Sequence, residues 1–165
     1  MAVRPILLYP DPRLRQQAAP VTQFDAALAA LAQDLLQTMR AAPGVGITGP
    51  HIGAMQRLVV LELDGPASTR FYVNPEIAWQ SEATARHVEG SVSMPDMREE
   101  IERPAQIRIR YQSLDGAALE EAADGFLATC LQHEIDQLDG IFWIFRLSRL
   151  KRERLLKRYG KQQTP

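Results

Sequence analysis

The stretch Asp124-Gly-Phe-Leu-Ala-Thr-Cys-Leu-Gln-His133-Glu134-Ile-Asp136-Gln137-Leu138-Asp-Gly140 decides how the chain is read. Asp124 is placed to cap a helix, and Phe126, Leu127, Cys130, Leu131, Glu134 and Leu138 recur at helical spacing until Gly140 stops it. Residues four apart share one face of a helix. A His at each end of such a stretch can grip one metal ion while the adjacent Glu reaches the bound water. Here Gln137 stands where the second His would be. Taken alone, a His-Glu pair marks a surface or core histidine more often than a metal site.

Upstream, Thr22-x-x-Asp25 resembles a capping box and precedes Phe24, Leu28, Leu31, Leu35 and Met39, which predicts an amphipathic helix over about 24–41. Pro43-Gly44-Val45-Gly46 ends it and opens a glycine-rich segment running to Gly53. Residues 58–63 read as a largely buried strand, and 70–73 as another that stops at Asn74-Pro75. Ile107, Ile109 and Tyr111 alternate with Arg108 and Arg110, and Asp115-Gly116 can turn the chain into a partner strand near 117–122. Downstream of Gly140, residues 141–145 are short and apolar. Ser148 is placed to cap a last helix with Leu150, Leu155 and Tyr159 facing inward. Helix, strands, helix, helix is the order of an α+β fold rather than of alternating βαβ units. Nothing in the chain divides it, so residues 1–165 are expected to form a single domain.

With 165 residues, 45% of them apolar and 24% charged, the chain can fill one core and is neither disordered nor collagen-like. No apolar run is long enough to span a membrane, and the first ten residues lack the apolar length of a signal peptide, so the expected location is cytoplasmic. The single cysteine, Cys130, has no partner within the chain and fits a reducing compartment. Between Arg146 and Lys161 there are eight basic residues against the single Glu153, whereas the whole chain carries −1. Such a cationic tail suggests a local acidic partner rather than a protein coated for nucleic acid.

Three segments in order carry a resemblance: Gly44-Val-Gly46-Ile, Glu89-Gly90-x-Val92-Ser93-x-Pro95, and His133-Glu134-x-Asp136-x-Leu138-x-Gly140. Together they resemble the signature segments of the peptide deformylase family. Tyr9-Pro-Asp-Pro-Arg-Leu-Arg15, Asn74-Pro75 and Ala123-Asp-Gly125 resemble its opening, its middle and the lead into its metal helix. The resemblance implies small antiparallel sheets around a central metal-site helix, with N- and C-terminal helices. It also implies removal of the formyl group from the formyl-methionine of new polypeptides. In that family a ferrous or substitute ion such as zinc is bound by one Cys and two His, a Glu acts as base and acid, and a Gln side chain and a backbone N–H form the oxyanion hole.

Carried over, the first ligand His is His133 and the acid-base Glu is Glu134, with the Val92 backbone N–H at the oxyanion position. The ligand Cys falls on Ser91, the second ligand His on Gln137, and the oxyanion Gln on His51. A neutral hydroxyl and an amide oxygen replace a soft thiolate and an imidazole, so metal binding is expected to be weak or absent and deformylation slow or absent. His51 could donate a hydrogen bond in place of the Gln. Alternatively, His51 with His133 and Glu134 or Ser91 could form a rearranged site suited to zinc. Val45, Gly46, Gly90 and Thr129 match the family's peptide channel, with Thr129 where an aliphatic residue is usual. Arg98 and Arg103 match basic positions near the peptide's downstream end, or are solvated arginines. Cys130 is read as a packing residue, His87 as a strand residue or hydrogen-bond partner, and Asp136 as a carboxylate orienting a neighbour. The family docks at the ribosome through its C-terminal helix, which the basic segment 146–161 could repeat. Three readings follow: a deformylase-like protein with a disabled metal centre that binds peptide N-termini, a working hydrolase with a rearranged site, and a ribosome or RNA interaction protein.

Overall fold

The computed structural model describes residues 2–163, so the outermost ends of the expected span 1–165 lie outside the described residues. Its helices are α1 (Ala26–Ala41), α2 (Gly125–Leu138) and α3 (Arg149–Gln163). Its strands are β1 (Gly46–Thr48), β2 (Leu58–Leu61), β3 (Arg70–Gln80), β4 (Thr84–Ser91), β5 (Met94–Pro104), β6 (Gln106–Gln112) and β7 (Ala118–Asp124). The architecture is α+β: a five-stranded antiparallel sheet in the order β1-β2-β3-β6-β7, and a separate hairpin of β4 and β5.

The four apolar residues of β2 are all buried because helices cover both faces of the sheet there. Val59 and Leu61 join a cluster with Leu131, Ile135 and Leu138 of α2. Leu58 and Val60 point the other way, among Leu28, Leu35 and Met39 of α1. A third cluster ties the hairpin to the C-terminal segment, with Met94, Met97 and Ile101 of β5 packed on Phe142, Trp143, Leu155 and Tyr159.

Several boundaries differ from the sequence expectation. The α1 cap is Asp25 itself, extended at φ −125°, whose carboxylate accepts from Leu28 N–H at 3.0 Å, so the helix starts at Ala26 and Thr22 is not its cap. The third strand does not stop at Asn74-Pro75 but runs on to Gln80 through a register shift between Val73 and Glu76. Asn74 takes a left-handed φ of 51° there, and its amide brackets the backbone of Val21 at 2.8 and 2.9 Å, fastening the N-terminal segment to the sheet. Asp124 occupies the N-cap of α2 without a capping hydrogen bond from its side chain. Ser148 does cap α3, accepting from Lys151 N–H at 3.3 Å, and Leu155 and Tyr159 are buried as expected. Leu150, however, is 57% exposed. At about 100° per residue it lies roughly 140° around the helix from Leu155, on the solvent face.

Candidate active-site cleft

The cleft forms where three pieces of chain meet, and it encloses about 500 Å³. Helix α2 supplies Phe126, Thr129, Cys130, His133 and Glu134, spaced three or four apart and so on one face. The glycine-rich segment before and within β1 supplies Val45 and Gly46, and the turn after it His51; the hairpin supplies Gly90, Ser91, Val92 and Arg98. The site residues expected from sequence therefore line one cleft, except Gln137 and Arg103, which do not line it. Gln137 is one helical turn beyond His133, 2% exposed, and its amide nitrogen donates to the Leu14 carbonyl at 2.7 Å. The 3-10 turn at Pro12–Arg15 crosses α2 at that point with Leu14 fully buried, and its carbonyl needs the donor.

Behind the cleft lies a buried charge network. His133 Nδ1 is 2.8 Å from Glu89 Oε1, and Arg103 grips both oxygens of Glu89 at 2.6 and 2.9 Å. Arg103 also donates to Asp136 at 2.9 Å, and Arg146 holds Asp136 through two bonds of 2.8 Å. Burial alone would raise the Glu89 carboxyl, but hydrogen bonds from His133 and Arg103 outweigh it and hold Glu89 down at about 2. The ionised Glu89 can only accept, so His133 Nδ1 carries a proton and Nε2 faces the cleft side, 3.5 Å from Glu134 Oε1. Burial works against a charged His133, yet the carboxylates of Glu134 and Glu89 overcome it and raise its pKa. Burial pushes Glu134 up to about 7 against the pull of His133.

Arg103 is thus neither solvated nor at the cleft mouth: it is 6% exposed and clamps two carboxylates. Its position could have been found from the strand period, since Met97, Ile101 and Arg103 share the inward parity of β5. Arg98 is exposed at the cleft rim. Asp136 has the partners that the sequence could not name, and His87 hydrogen-bonds Thr129 Oγ1 across 2.9 Å. Cys130 packs against the α2 cluster and also lines the cleft, and burial pushes its thiol up to about 12. It is a protonated thiol at neutral pH, not a thiolate.

A family model described as polypeptide deformylase matches residues 3–153. This chain belongs to that family. A Brucella melitensis protein named peptide deformylase-like is 64% identical over 163 residues, covering 99% of each chain. A Phenylobacterium zucineum peptide deformylase is 45% identical over 164 residues, covering 98% of this chain and 97% of its own. Among solved structures, a Legionella pneumophila peptide deformylase superposes with a TM-score of 0.90 at 36% identity, covering 98% of each chain. An Ehrlichia chaffeensis peptide deformylase in complex with actinonin gives 0.92 at 30% identity over the full length of both.

The deformylase ion is the test of this cleft. Of the three positions that the resemblance assigns to it, only His133 offers an imidazole, through Nε2. Ser91 brings a hydroxyl that accepts from Ser93 N–H at 3.1 Å, and Gln137 is turned to Leu14. Among the described residues no three His, Cys, Asp or Glu side chains converge as a metal-binding group. The donors present do not fit the one-thiolate, two-imidazole set of the family.

Proposed function

We propose that this deformylase-family protein binds peptide N-termini in the cleft beside α2 and removes their formyl group weakly or not at all. The observation that carries the reading is Gln137, whose amide is spent on the Leu14 carbonyl and lies outside the cleft. With Ser91 in place of a thiolate, His133 is left as a lone strong ligand, and the water-activating step of the family has no anchored ion behind it. The binding half of the function rests on different residues. Gly46 and Gly90 line the cleft from β1 and β4, both strands at the edge of their sheets, so an extended peptide has free backbone groups to pair with. Val45, Val88 and Phe126 are 42–56% exposed at the cleft and offer an apolar rim for its first side chain.

Glu134 supports a second reading as a weak N-acyl hydrolase, since a carboxyl titrating near 7 suits general acid-base work. One experiment separates the two: metal content and formyl-Met-peptide hydrolysis, measured together on protein purified without oxygen and incubated with ferrous, nickel or zinc ion. The expected result is metal well below one per chain and little turnover. Stoichiometric metal with turnover that disappears in Glu134→Ala would overturn the binding reading in favour of the hydrolase. The outer face of α3 supports an additional ribosome contact, because Arg149, Lys151, Arg154, Lys157, Arg158 and Lys161 are exposed while Leu155 and Tyr159 turn inward. Replacing Arg154, Lys157 and Arg158 by Ala should lower co-sedimentation with ribosomes at low salt.

A further inference from the structure

A hydroxyl is built into the wall of the cleft. Phe126 and Thr129 stand one helical turn apart on the face of α2 that lines it; Phe126 is exposed and Thr129 only 5% so, which places Thr129 deeper. Thr129 Oγ1 sits 2.9 Å from Nδ1 of His87 on β4, and the His87 ring meets that of Phe126 with 6.4 Å between centroids. A helical Thr often returns its hydroxyl to the carbonyl one turn back, but here it is held across to the hairpin. His87 is half-buried and is not among the residues lining the cleft, so it positions the hydroxyl rather than meeting a ligand. The bond leaves one function of the hydroxyl unused. Nδ1 either takes the Thr129 proton, leaving a lone pair on Oγ1, or donates its own, leaving the Thr129 proton free. Between the two tautomers, Oγ1 can serve a ligand group that donates or one that accepts.

We propose that Thr129, held by His87, is a specificity residue that opens the cleft to peptides whose first side chain ends in a neutral hydrogen-bonding group such as a carboxamide, and so removes any preference for methionine. The inference rests on the reading that the cleft takes peptide N-termini, and states which first side chain they carry. Glutamine and methionine have stems of the same length, which Val45, Val88 and Phe126 at the rim cover alike, and they differ at the tip. Against a wholly apolar wall the carboxamide would give up water without return, which weakens binding by roughly tenfold or more. The Thr129 hydroxyl pairs it and offsets that loss. A thioether sulfur is too weak an acceptor to gain from the same hydroxyl. A charged tip would lose more hydration than one hydroxyl returns.

The test is calorimetric titration of the full-length protein with formyl-Gln-Ala-Ser, formyl-Met-Ala-Ser and formyl-Glu-Ala-Ser. The glutamine and methionine peptides should bind within about threefold of one another, and the glutamate peptide at least about tenfold more weakly. Thr129→Val, which keeps the shape and removes the hydroxyl, should weaken the glutamine peptide by roughly tenfold and leave the methionine peptide as tight or tighter. Thr129→Ser, which keeps the hydroxyl, should preserve the wild-type ratio. His87→Phe should move the ratio in the same direction as Thr129→Val, which a bond serving only to tie β4 to α2 would not do. A methionine preference of about tenfold or more in wild-type protein, or a ratio unmoved by Thr129→Val, would overturn the inference while leaving peptide binding intact. Glutamate bound as tightly as glutamine would overturn the restriction to neutral tips. No binding of any of the three would overturn the proposed function itself. The wild-type ratio decides without any substitution, so the inference can fail even if a variant does not fold.

Discussion

Replacing Arg103 by Met tests the network behind the cleft. The side chain is 6% exposed and its partners Glu89 and Asp136 are 4% and 11% exposed, so its three charge-assisted hydrogen bonds of 2.6, 2.9 and 2.9 Å lie out of solvent. Removing one partner of a buried ion pair costs about 3–5 kcal/mol. Asp136 would keep both bonds from Arg146 and Glu89 would keep His133, which places the loss at the lower end, about 3 kcal/mol. For a chain of this length that is a Tm lower by about 6–12 °C. The cause is the uncompensated charge on Glu89, so the same substitution made in a Glu89→Gln background should cost at least about 1 kcal/mol less. Arg103 also opposes the charged form of His133, and its removal should raise the His133 pKa further, as read by NMR titration. Urea unfolding of the four proteins closes the cycle. A loss under about 0.5 kcal/mol, within the range of ordinary surface substitutions, or an equal loss in both backgrounds would refute the assignment of Arg103 as a buried clamp.

Three further outcomes follow from particular side chains. The double variant Ser91→Cys, Gln137→His should bind zinc at one per chain. Without metal it should be less stable than wild type by about 1–3 kcal/mol, because the Leu14 carbonyl loses its donor. Equilibrium dialysis that finds no zinc would show the cleft differs from a metal centre at more than these positions. Burial, with the nearby His133, depresses His51 from 6.5 to about 3, so the unfolded chain binds this proton first. The contribution of His51 to stability is complete above about pH 6.5 and is lost as pH falls toward 3. The urea midpoint of His51→Gln should accordingly vary less than wild type between pH 6.5 and 4.5, above the range where Glu89 adds its own acid loss; an unchanged slope contradicts a buried neutral His51. Leu155→Ala should cost about 2–5 kcal/mol and Leu150→Ala under about 0.5 kcal/mol in thermal unfolding, since only Leu155 packs on the β5 cluster.

Local pattern was sufficient wherever one residue's neighbours in sequence decide its environment. The α2 helix is legible because an apolar face recurs every three or four residues up to Gly140, and β2 because covering both faces of a strand leaves an unbroken apolar run. The cleft residues were legible for a different reason: the three glycine- and histidine-bearing segments resemble a known family, and the fold brings those segments to one place. The misreadings have a common origin. Asn74-Pro75 stops a regular strand by local rules, but partner strands and the bond to Val21 carry β3 past it through a bulge. Leu150 looks like core by composition alone, and only its angle relative to Leu155 puts it in solvent.

By itself the sequence determined the α+β class, the family and most of the residues facing the cleft, while its resemblance to the family singled out Ser91, Gln137 and His51 as departures from the family's pattern. Only the tertiary structure decided what those residues do, because each depends on a partner far away in the chain. Gln137 is committed by Leu14, 123 residues earlier, and the charge on Arg103 is absorbed by Glu89 and Asp136 from a different strand and a helix. Even the short-range pair Thr48 and His51 acquires its meaning from burial, which keeps the imidazole neutral. Hydrogen-bond donors and acceptors are fixed by residue type; whether they are free is a property of the fold.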